Sequence, residues 1–101
     1  MREKQIEAVK FAEENNLTSP VEYRALDFIS EVGEIVKDIT KSGEYGEKPG
    51  NIEVKEDEIG DAIFSLFLLA NDLNIDAENA YETAMEKYRS RIEAKGDPGS
   101  K

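Results

Sequence analysis

The chain has 101 residues, 36% of them charged and 39% hydrophobic, with a formal net charge of −10 at pH 7 and neither cysteine nor histidine. That length fits one domain. The missing cysteine excludes disulfides, thiolate catalysis, zinc–thiolate sites and iron–sulfur clusters. The missing histidine removes the commonest general base and the Ser-His-Asp arrangement. The acidic balance argues against nucleic acid as a partner, since that needs basic surface, and favours hard divalent cations.

Met1-Arg2-Glu3-Lys4 opens a charged segment without an apolar stretch of signal-peptide type, so no secretory signal is expected. The first helix is predicted from about Glu3 to Asn15, with Ile6, Val9 and Ala12 at helical spacing and Phe11 beside them. Asn15-Asn16 interrupts it. Ser19-Pro20-Val21-Glu22 reads as a capping box with proline at the first helical position, starting a second helix that runs to about Thr40. Lys41 to Asn51, with three glycines and a proline, is a long loop of the kind that serves as a lid or carries ligand contacts. The third helix is expected from about Glu53 to Leu73. Asn74-Ile75 forms a turn, and Asp76 is the N-cap of a fourth helix reaching about Ala94. The expectation is therefore an all-α domain over residues 1–94 and a flexible tail over 95–101. The most apolar run, Ala62 to Ala70, is far shorter than the roughly 20 residues that span a bilayer. No membrane partner and a cytoplasmic location are expected.

Carboxylates carry the candidate chemistry. On a helical wheel, Asp27, Glu31, Glu34 and Asp38 fall within an arc of about 60°. The arc borders the apolar arc of the second helix (Phe28, Val32, Ile35, Ile39) where a merely solvated face would lie opposite it. Like charges three and four residues apart repel, by roughly a few tenths of a kcal/mol per pair, and a bound cation offsets that. The third helix repeats the pattern: Glu58 and Asp61, with Ser65 and Asp72, border an arc holding Ile59, Ile63 and Leu66. Gly33 and Gly60 each stand one residue before an acid of these pairs. Two antiparallel helices can face Glu31 and Glu34 against Glu58 and Asp61 across a cleft. Four carboxylates suit Mg²⁺, which takes oxygen ligands and keeps positions for water and phosphate, and Mn²⁺ can substitute.

Glu31-Val32-Gly33-Glu34 followed by Glu58-Ile59-Gly60-Asp61 resembles the Glu-x-x-Glu … Glu-x-x-Asp signature of MazG-like nucleotide pyrophosphohydrolases, in the all-α NTP pyrophosphatase superfamily. Ala62-Ile63-Phe64-Ser65-Leu66, Asn74-Ile75-Asp76 and Lys87-Tyr88-Arg89-Ser90-Arg91 resemble that family's later segments, so the likeness covers about Val21 to Arg91. It implies hydrolysis of a nucleoside triphosphate to the monophosphate and pyrophosphate, in nucleotide-pool house-cleaning. Mg²⁺ would be held by Glu31, Glu34, Glu58 and Asp61, one of which orients or deprotonates the attacking water. It further implies that Lys87 and Arg91, one turn apart on the fourth helix, contact the triphosphate. Lys55 and Lys37 are further phosphate candidates. Many relatives stack the base on tryptophan; this chain has none, leaving Phe11, Tyr23 and Tyr45. Two other readings stand beside this one: a phosphoribosyl-ATP pyrophosphohydrolase, and a non-catalytic helical regulatory module that binds Mg²⁺ for stability.

Ala62 to Ala70 is apolar nearly all round, and such a helix is buried on all faces. Four helices of this length hardly enclose one within a single chain. The expectation, in line with the family resemblance, is an intertwined helical-bundle dimer, or a dimer of dimers.

Overall fold

The computed structural model describes residues 1–99; Ser100 and Lys101, the end of the expected tail, lie outside the described residues. Four helices form, α1 (Arg2–Glu14), α2 (Val21–Ser42), α3 (Glu56–Asp72) and α4 (Ala77–Lys95). Two single 3₁₀ turns, Glu44–Gly46 and Pro49–Asn51, lie between α2 and α3, and there is no strand among the described residues. The all-α expectation holds.

Two helices stop in the same way. Asn16 and Asn74 adopt left-handed backbone, at φ 57° and 59°, a conformation asparagine tolerates because its side chain can bond locally. At the end of α3, Ile75 N–H reaches back to the Ala70 carbonyl at 2.8 Å; at the end of α1, Leu17 N–H reaches the Ala12 carbonyl at 2.8 Å. These bonds close orphan carbonyls of the last turn.

Two expected starts move. Pro20, at φ −59° and ψ 151°, is the extended N-cap of α2 and not its first helical residue, and no side chain caps the helix. The Ser19 capping box therefore does not form. The third helix begins at Glu56 and not at Glu53, whose backbone N–H is engaged by the Ser42 side chain while Ile52 and Lys55 on either side are extended. The Ser42 hydroxyl accepts from Glu53 N–H at 2.8 Å and donates to the Asp38 carbonyl at 2.6 Å. Asp76 caps α4 as expected, accepting from the backbone of Glu78 and Asn79 at 2.9 and 3.1 Å.

The buried apolar cluster is small and lies between α1 and α3: Ala8 and Ala12 against Phe67 and Leu68, with Val9, Phe64 and Ala77 packed around it. Phe11 meets Phe64 edge-on, centroids 6.1 Å apart. The α1 face differs from its expected one. Ile6 is exposed, and Gln5 takes the buried position. The Gln5 amide donates to the Ile75 carbonyl at 3.0 Å and its carbonyl accepts from Ala77 N–H at 2.7 Å, so it clasps the α3–α4 turn.

Neither α2 nor α4 contains a fully buried residue. Ile29, Val32, Val36 and Ile39 on α2 and Ile59, Ile63 and Leu66 on α3 are all exposed, as are Tyr81, Tyr88 and Ile92 along α4. The radius of gyration is 16.7 Å, against about 13 Å for a compact chain of this length. No helix among the described residues is long and apolar enough to cross a membrane.

Candidate functional site

The site is built on the antiparallel pair α2 and α3. Arg24, Phe28, Glu31, Ile35, Asp38 and Ser42 are partly buried at alternating spacings of three and four residues. That is the α2 stripe turned to α3. Glu58, Ala62, Ser65 and Leu69 form the matching stripe of α3. Three contacts set the register. Arg24 pairs with Asp72 at 3.2 Å at one end. Asp38 meets Glu58 near the other, and Ser42 holds Glu53 just beyond.

This register does not bring the sequence-predicted quartet to one height: Glu58 lies across from Asp38, about two turns along from the level of Glu31. Glu31 stands at the level of Ser65, and Glu34 at the level of Asp61 and Ala62. Glu31 and Glu58 are partly buried within the interface, whereas Glu34 and Asp61 are exposed along one flank of it. The exposed apolar residues Val32, Val36, Ile59 and Ile63 follow the other flank, by the handedness of two antiparallel right-handed helices. The hairpin thus has an acidic side and an apolar side.

Glu58 is the most perturbed acid. Its Oε2 is buried and has no hydrogen-bond partner. Its pKa is pushed up to about 7, first by a shared hydrogen bond with Asp38, then by burial and by the negative charges of Asp38 and Glu34; Lys55 opposes the rise. Closely held carboxylates cannot both ionise freely without a proton or a cation between them. The donor set, all carboxylate oxygen with one oxygen orphaned, fits a hard divalent cation. Among the described residues, no group of three acids stands close enough to cage an ion, and the side chains of Glu34 and Asp61 are exposed. Mg²⁺ in particular needs only one or two carboxylates when substrate phosphate and water supply the rest.

Beside the acids, an open cavity of about 750 Å³ is lined by Asp38, Lys41, Ser42, Glu53 and Lys55. Lys55 is the N-cap residue of α3, which has no side-chain cap. Of the phosphate candidates, Lys55 is the one brought to the acids. Lys37 is exposed on α2. Lys87 lies over the ring of Tyr88, 5.2 Å from its centroid, and Arg91 donates to the Pro98 carbonyl at 3.2 Å. Neither forms an ion pair with an acid among the described residues. Of the aromatic candidates, Phe11 is taken up by Phe64, and Tyr23 and Tyr45 are exposed. Asp38 and Lys41 were not among the residues chosen from the sequence. For Asp38 the signal was present, since it shares the acidic arc of Glu31 and Glu34.

A curated Bacillus subtilis (strain 168) protein, described as the uncharacterized protein YpjD, is 38% identical over 65 residues, covering 60% of this chain and 57% of the relative. The match thus spans a little over half of that relative's length. No solved structure matches significantly. The family model for the MazG nucleotide pyrophosphohydrolase domain matches residues 22–94, which takes in α3, nearly all of α2 and α4, and every acid of the quartet. The chain belongs to the MazG nucleotide pyrophosphohydrolase domain family.

Proposed function

We propose that this chain is a Mg²⁺-dependent nucleoside triphosphate pyrophosphohydrolase, with Mn²⁺ able to substitute, that releases a nucleoside monophosphate and pyrophosphate and serves to clean the nucleotide pool. The observation that carries the reading is Glu58. A carboxylate with a buried, unpartnered oxygen is placed against Asp38 and Glu34 inside a helix pair that also presents Glu31 and Asp61. That repulsion costs the fold stability, and a shared proton or a bound cation offsets it.

In this reading Glu31, Glu34, Glu58 and Asp61 hold the cation, which supplies charge neutralisation at the phosphates and a lowered pKa for bound water. Lys55 and Lys41 line the adjoining cavity and suit phosphate oxygens. Lys87 and Arg91 present a second basic pair on α4, and Lys37 a further charge on α2. The working form is a dimer or a dimer of dimers. The exposed apolar flank of α2 and α3, the exposed stripe of α4 and the extended shape of one chain all support association.

Pyrophosphate release from a panel of ribo- and deoxyribonucleoside triphosphates with Mg²⁺ tests the activity. The expected result is turnover that needs the cation and falls at least about a hundredfold in Glu34→Gln or Asp61→Asn, the size of loss typical when a charge-stabilising group is removed. A folded chain inert on every triphosphate would sink the reading, and turnover of phosphoribosyl-ATP alone would replace the substrate. Light scattering after size exclusion checks the assembly: one species at the 11.3 kDa of the single chain would refute the dimer.

A further inference from the structure

A cavity of about 210 Å³ lies between α2, α3 and the segment that joins α1 to α2. Leu17, Phe64 and Leu68 give it apolar walls, and Arg24, Asp27 and Ser65 give it polar atoms. Arg24 is already engaged, by Asp72 at 3.2 Å and by the Leu17 carbonyl. Asp27 and Ser65 are not. Among the described residues, neither side chain has a hydrogen bond or an ion pair. Asp27 lies about two turns before Glu34 on α2, and Ser65 about one turn after Asp61 on α3. The cavity therefore continues the flank along which Glu34 and Asp61 are exposed. In the other direction, Lys41 lies about two turns past Glu34 and lines the 750 Å³ cavity with Lys55. The exposed acids thus stand between a small, partly apolar cavity and an open one that holds two lysines. That is the order of parts in a nucleoside triphosphate: the base, the phosphorus that is attacked, and the pyrophosphate that leaves.

We infer that the smaller cavity takes the base and that Asp27 selects guanine there. A carboxylate accepts hydrogen bonds at two oxygens and donates none. Among the common bases, guanine presents two donors side by side, its N1–H and its 2-amino group. Adenine and cytosine set a ring acceptor beside their amino group, and uracil flanks its N–H with carbonyls, so each turns a lone pair toward the carboxylate. The Ser65 hydroxyl can donate to guanine O6, and Leu17, Phe64 and Leu68 supply apolar surface for a flat ring, the usual way a lone base is read. The inference rests on the pyrophosphohydrolase reading above and names its substrate class.

Steady-state turnover of GTP, ITP, ATP, CTP and UTP by the full chain with Mg²⁺ tests it. ITP is GTP without the 2-amino group. The parent's kcat/KM on GTP should exceed that on ITP and on ATP at least about tenfold, because a site built around a donor discriminates against the analogue that lacks it. Asp27→Asn should lose at least about tenfold on GTP, less on ITP, and gain on ATP, whose 6-amino group and N1 match the acceptor and donor of an amide. Asp27 has no partner to lose, so this variant should melt with the parent. Equal turnover of GTP and ITP by the parent overturns the inference. So does a loss in Asp27→Asn that is the same on every triphosphate, which would make Asp27 part of the cation site. A parent chain inert on every triphosphate overturns the pyrophosphohydrolase reading instead. Calorimetric titration with GMP and IMP then decides the cavity on its own: tighter GMP supports the base site, and equal or absent binding of the two overturns it.

Discussion

Two polar side chains, the buried Gln5 on α1 and the partly buried Glu58 on α3, are treated in opposite ways by the same fold. Gln5 has its carbonyl and its amide engaged by backbone across the α3–α4 turn, at 2.7 and 3.0 Å. Glu58 has a buried oxygen with no partner and faces two further acids. A satisfied buried amide fixes one arrangement of helices; an unsatisfied carboxylate stores a demand that a ligand can meet. The difference separates a structural end of the bundle from a chemical one. It also says that substitutions at the two positions should have opposite consequences.

The largest expected effect lies at Glu58. In Glu58→Gln the activity should fall at least about a hundredfold, as expected for an essential charge-stabilising group, while the chain with chelator melts higher than the parent at pH 8. The stability gain should shrink as the pH falls. A carboxyl group whose folded pKa is raised contributes stability that is complete below its ordinary value of 4.5 and is lost as the pH rises through about 7. The burden that the variant relieves is therefore present only in the upper part of the range. Thermal melts with chelator at pH 5 and pH 8 check this. A variant that melts lower than the parent at both would place Glu58 with Gln5 among the structural groups.

How far this contrast was legible in the sequence depends on whether it is local. The four helices follow from apolar spacing and from the asparagines that stop α1 and α3. The acid pairs stand out because each borders an apolar arc on its own helix. What was hidden depends on contacts between segments distant in the chain. Nothing near Gln5 in sequence distinguishes it from a solvated glutamine, because its partners are the Ile75 carbonyl and the Ala77 N–H, some seventy residues away. The late start of α3 goes with the Ser42 hydroxyl engaging the Glu53 N–H across the loop. Asp38 lies between these cases. It shares the acidic arc, but only the register of α2 against α3 sets it on Glu58.

Gln5→Leu tests the other side of the comparison. It keeps an apolar body in the buried position but strips partners from the Ile75 carbonyl and the Ala77 N–H. Leaving a buried backbone group unmet costs about 1–3 kcal/mol. Chemical denaturation should show a loss of that order, and hydrogen exchange at Ala77 should speed up. Mn²⁺ affinity should remain within twofold of the parent, since Gln5 lies on α1, away from the α2–α3 acids. A matching loss of Mn²⁺ binding would mean that the structural and chemical ends are coupled.

The smallest effect is expected at Asp76, which belongs with Gln5 because it anchors the start of α4. Arg2 and the backbone of Asn79 and Glu78 hold its carboxyl below its ordinary value of 3.8. For a lowered carboxyl the sign is the reverse of that at Glu58. Its contribution is complete above 3.8 and is lost as the pH falls through the lower folded value. Asp76→Asn keeps an oxygen that can cap α4 but removes the charge that Arg2 answers. The parent should therefore lose more melting temperature than this variant as the pH falls below 3.8, with the two curves parallel above it. Because the Glu58 window lies between 4.5 and about 7, one series of melts with chelator separates the two groups. Acid should erode the parent's advantage over Asp76→Asn at low pH, and base should widen its deficit against Glu58→Gln near neutrality. Curves for Asp76→Asn and the parent that stay parallel in acid would show that Arg2 gives this partly buried cap no measurable charge stabilisation.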